Sequence, residues 1–266
     1  MTNFVQTAAR DEKGFTLVEL AVVMIIVGLL IGGILKGQEM ISNAQVTSTI
    51  AQAKSFDAAI STFRDQYQGL PGDIAGTRLA NCGPVCTQAL FPGDNLISSA
   101  AGTALQPGAA DTTNATEVAK AWAQLAAANL ITGVDQSAAT TAAPTAGVSI
   151  PEASISSSSW QVGSIPNATA ATGAVLTDAT LTRGGVYLLL DNSGIAAASG
   201  TTASLTPAIA SRMDEKLDDG APNTGSVLAT GGAAGTATCA SAADETAVYN
   251  SSLNSNLCGL LVRVQG

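Results

Sequence analysis

The sequence predicts an α+β protein: one long N-terminal helix, then a head in which an antiparallel β-sheet packs against that helix, stapled by disulfides. An apolar run from Phe15 to Leu35 continues without a break into a helical, amphipathic pattern. That pattern stops at "GLPGD" (Gly69–Asp73). The stretches with strand character all come later, and a helix followed by a group of strands segregates into α+β rather than alternating α/β.

The totals narrow the function before any motif is read. At 266 residues the chain is long enough for one large or two small domains with a real core. It carries net charge −9 and no histidine. Phosphate contacts need clustered Lys and Arg, so direct nucleic-acid binding is not expected. Without histidine the commonest general base and the commonest zinc ligand are missing. No nucleophile–base arrangement, GxSxG or P-loop is present, so no catalytic residues are assigned and the chain is not expected to be an enzyme. Aromatic residues are only 4%, so Ala, Val, Leu and Ile must build most of the core.

The first element is the apolar segment. Residues 15–35 would span about 31 Å as a helix, one bilayer core. The residues before it are polar and carry Arg10 and Lys13 as a positive flank. A secretory signal would end in a small-x-small cleavage site, whereas this run passes directly into Gly37-Gln38-Glu39, so the segment reads as retained. Glu19 is the anomaly, because a lone charge deep in a bilayer costs about 3 kcal/mol on insertion scales. Gly28/Gly32 and Gly33/Gly37 form two small-xxx-small spacings, which let helices approach closely.

"KGFTLVEL" (Lys13–Leu20) followed by a full-length apolar helix resembles the processing site of bacterial type IV prepilins and type II secretion pseudopilins. The resemblance strictly covers residues 13 to about 68. It implies that a prepilin peptidase cuts after Gly14 and methylates the new N-terminus at Phe15. It also implies that Glu19 meets the amine of Phe15 on a neighbouring subunit during assembly. Residues 1–14 are then a cleaved leader, 15–68 the long helix with 15–35 its transmembrane and filament-core part, and 69–266 the globular pilin head. The implied partners are further copies of the chain in a helical filament, the peptidase, and an inner-membrane assembly platform with its motor. The membrane itself holds the subunit before assembly. The implied location is the inner membrane as a single-pass protein, then a cell-surface filament.

Beyond Lys36 the helix is amphipathic. Phe56, Ile60, Phe63 and Tyr67 recur at spacings of four, three and four, one apolar stripe suited to core packing. The predicted end is at Gly69, a candidate C-cap, with Pro71 unable to continue. A second helix is expected in "NATEVAKAWAQLAAANLITG". There Asn114 and Glu117 form a capping-box variant, Val118, Trp122, Leu125 and Ala126 share a face, and Gly133 is the stop. A third helix fits "TPAIASRMDEKL", with Thr206 as N-cap and Pro207 at its first position. Strands are expected at "SSWQVGSI", Val186–Leu190, "GSVLAT" and "CGLLVRVQG". "GLPGD" and "FPGDN" repeat Pro-Gly-Asp and read as turns.

The four cysteines, Cys82, Cys86, Cys239 and Cys258, allow three pairings that sequence does not distinguish. The local pairing is the one adopted, Cys82 with Cys86 and Cys239 with Cys258, and it implies an oxidising compartment. Zinc would accept the spacing of "CGPVC" but not the second, wider pair. The pilin resemblance implies a C-terminal loop bounded by a disulfide, here Cys239 to Cys258.

One candidate metal group remains. In "RMDEKLDDG", Asp214 and Asp218 share a helix face and Asp219 sits at the turn before Gly220. Carboxylates with loop carbonyls suit Ca²⁺, which takes six to eight oxygens. The resemblance adds that major pseudopilins bind Ca²⁺ in a late loop; no other cofactor is expected. The function expected is a structural subunit of a type IV pilus. A type II secretion pseudopilin and a minor tip pilin or adhesin are the alternatives. Length argues against the usual major pseudopilin, and Glu19 against the tip type that lacks it.

Overall fold

The computed structural model describes residues 14–74, 93, 95–100, 103–104, 117–135, 145–155, 158–165, 184–192, 203–231, 238–242 and 244–264. Its contacts divide the chain into two compact units, 1–44 and 45–266. The first unit holds the start of helix α1, Leu17–Tyr67. Here the side chains from Phe15 to Leu35 lie exposed, and an 18-residue window of mean hydropathy 2.7 has nothing buried. This helix is long and apolar enough to cross a membrane. Lys36 and Glu39 pair at 2.7 Å on the exposed surface just after the apolar stretch.

In the second unit α1 turns one face inward. Val46, Thr49, Ile50, Ala53, Phe56, Ala59, Ile60 and Phe63 are buried at three- and four-residue spacing, so the expected aromatic stripe is core and begins earlier than Phe56. Phe56 meets Trp122 at 5.0 Å and Trp160 at 6.0 Å between ring centroids, both edge-to-face. Gln52, on the same helix, accepts hydrogen bonds from the Ser154 amide (3.1 Å) and Trp160 Nε1 (3.3 Å).

The sheet is α+β in the pilin manner. Strands β3 (Ser158–Ile165), β4 (Gly185–Asn192), β5 (Val227–Thr230) and β6 (Gly259–Arg263) run in the order β3–β4–β6–β5, every pair antiparallel. A short pair, β1 (Ser98–Ala100) and β2 (Thr103–Ala104), was not expected from the sequence. One row of side chains, Trp160, Leu190, Leu260 and Ala229, crosses all four strands of the larger sheet. It belongs to the same core cluster as the buried face of α1. The opposite face carries its own buried cluster, Ile165, Tyr187, Leu189, Leu228 and Leu261. Burial on both faces explains why β4 reads as a continuous apolar run instead of an alternating one.

Two helix ends differ from expectation. α1 ends at Tyr67, and the left-handed cap residue is Gln68 (φ 54°), whose amide bonds the Arg64 carbonyl at 2.8 Å. Gly69 instead makes room for a close approach, since a Cβ there would overlap the Ile74 side chain. α2, Glu117–Ala127, stops six residues before Gly133. Asn129 takes the left-handed conformation (φ 56°), and the amides of Asn129 and Leu130 bond the carbonyls of Ala126 and Leu125, each at 3.0 Å. That is a Schellman cap, with Asn substituting for the usual Gly. α3, Pro207–Leu217, begins as expected, Thr206 accepting from the Ile209 amide and Pro207 leading the first turn.

"GLPGD" is more than a turn. Leu70 to Ile74 are all buried, so their backbone groups need partners. Gln124 of α2 supplies them, accepting from the Gly72 amide (2.6 Å) and donating to the Ile74 carbonyl (3.3 Å). The Asp73 carboxylate accepts the amides of Gly93 (2.7 Å) and Asn95 (2.9 Å), so the first Pro-Gly-Asp turn holds the second.

Candidate functional site

At the start of α1, Thr16 and Glu19 cap the helix reciprocally. The Thr16 amide and hydroxyl both donate to Glu19 Oε2 at 2.9 Å, and the Glu19 amide donates to Thr16 Oγ1 at 3.3 Å. This is a capping box: it satisfies first-turn donors and sets a carboxylate at the positive end of the helix dipole. Thr16 was missed in reading the sequence, although Thr-x-x-Glu before an apolar run is the signal for it. Next to it Phe15 is exposed, and Gly14 has open space where a Cβ would project. Gly28, Gly32, Gly33 and Gly37 likewise face open space.

Residues 9–35 match the family model of the prokaryotic N-terminal methylation motif. The chain carries a prepilin motif. This is the motif of type IV pilins and pseudopilins, and it implies processing by a prepilin peptidase and assembly into a filament. The prepilin motif with the apolar helix fits anchoring in the inner membrane before assembly. No curated protein and no solved structure gives a match to the chain.

The head of this prepilin-type chain holds the second candidate group. The disulfide is formed between Cys239 and Cys258, both fully buried, whereas Cys82 and Cys86 lie outside the described residues. The loop it closes is anchored on α3 and on the turn between α3 and β5. Tyr249 donates its hydroxyl to Asp214 Oδ2 at 2.8 Å, and Asn223 Nδ2 donates to the carbonyls of Ala242 (3.3 Å) and Asp244 (2.9 Å).

Asp214 in the last turns of α3 and Asp218 and Asp219 just beyond its end each place one oxygen within 4.8 Å of the others, Asp214 buried and the other two exposed. Asp218 Oδ2 accepts the amides of Ser226 and, at 3.4 Å, Val227. Asp219 accepts the Ala221 amide at 3.0 Å and the Thr224 hydroxyl. Asp214 Oδ1 is buried and has no hydrogen-bond partner. Burial raises the Asp214 pKa to about 7; the Tyr249 hydroxyl and the Gly220 amide oppose this, and the neighbouring Asp219 and Asp218 add to it. Burial likewise pushes Tyr249 up, so its phenol keeps its proton and donates. Three carboxylate oxygens, one of them from a buried residue, are the donor type that hard cations take.

Proposed function

We propose that the chain is a structural subunit of a type IV pilus, a non-catalytic protein stored in the inner membrane and assembled into a cell-surface filament. The observation that carries the proposal is the exposed apolar helix with Glu19 in its first turn, directly after the Gly14–Phe15 bond. The prepilin peptidase cuts that bond and methylates Phe15. A membrane platform and motor then draw subunits together, and helix–helix packing along residues 15–35 replaces lipid contacts. Glu19 leaves its own Thr16 cap and pairs with the amine of Phe15 on the neighbouring copy. That exchange turns a buried charge without an ionic partner into a charge-assisted pair.

The test is electron microscopy of sheared filaments with mass spectrometry of their subunits. We expect an abundant surface filament built of this chain beginning at methylated Phe15. Glu19→Gln should sharply reduce filament yield while leaving cleavage intact, and wild-type yield from that variant would remove the charge-pair step. The acidic cluster of Asp214, Asp218 and Asp219 at the end of α3 favours a second reading, a type II secretion pseudopilin that binds Ca²⁺ there. Loss of exoprotein secretion on deleting the gene, with no surface filament in the parent strain, would select it.

A further inference from the structure

We draw no further inference here: the strongest candidate, the side-chain cluster of Asp214, Asp218 and Asp219 at the end of α3 around an unpartnered buried carboxylate oxygen, belongs to the site already described.

Discussion

Replacing Asp214 by Asn isolates the energetic consequence of burying that carboxyl group. Asn keeps the shape and an oxygen to accept the Tyr249 hydroxyl, but it cannot ionise. In the wild-type chain the folded-state pKa is raised from 3.8 to about 7, so the folded state binds the proton more tightly than the unfolded state. Stability from this group is therefore complete below about pH 4, falls as pH rises, and is lost once pH passes about 7. At about 1.4 kcal/mol per pH unit the penalty reaches about 4 kcal/mol, and roughly 2 kcal/mol after allowing for solvent screening from the exposed Asp218 and Asp219 side. Denaturant unfolding in non-ionic detergent, followed by the fluorescence of buried Trp122 and Trp160, reads this directly. A chelator must be present so that no divalent cation holds the carboxylate ionised. Asp214→Asn should match wild type near pH 4 and exceed it above about pH 7. A difference between the two that stays flat across that range would refute the account of the buried acid.

Calcium should act on the same group in the opposite sense: added Ca²⁺ should raise the melting temperature above pH 7, and Asp218→Asn should abolish the rise. Gly72→Ala should destabilise the head by at least about 2 kcal/mol. Its φ of 94° disfavours a side chain, and an added Cβ overlaps the Glu117 carbonyl; chemical denaturation measures the loss. Cys258→Ser opens a loop with a sequence separation of 19 and should cost about 3 kcal/mol by chain entropy. Limited proteolysis should then cut first between residues 239 and 258.

Legibility followed locality. The stripe on α1, the Thr206–Pro207 start of α3 and the four strands of the larger sheet were readable because each signal lies within a few consecutive residues. The helix ends were not. Gly69 and Gly133 looked like caps because Gly adopts positive φ most cheaply. In the fold Gly69 is reserved for contact with Ile74, and Gln68 and Asn129 take the strained conformations instead. The spacing of Asp214, Asp218 and Asp219 was visible, but Tyr249, 35 residues on, was not, because only the disulfide loop's path brings it near.

The burial of β4 and β6 on both faces has a consequence for how the strands find their partners. Where one face is wet, a slip of one residue exposes the apolar set and is rejected. Here a slip exchanges Leu189 for Leu190, or Leu260 for Leu261, apolar for apolar. Alignment must be fixed at the strand ends. Gly259 does so by fitting against Thr230 and the Leu190 carbonyl where no Cβ could, and Cys258, immediately before it, is tied to Cys239. Oxidation of that pair therefore adds a covalent tether at the same strand end whose register Gly259 already sets.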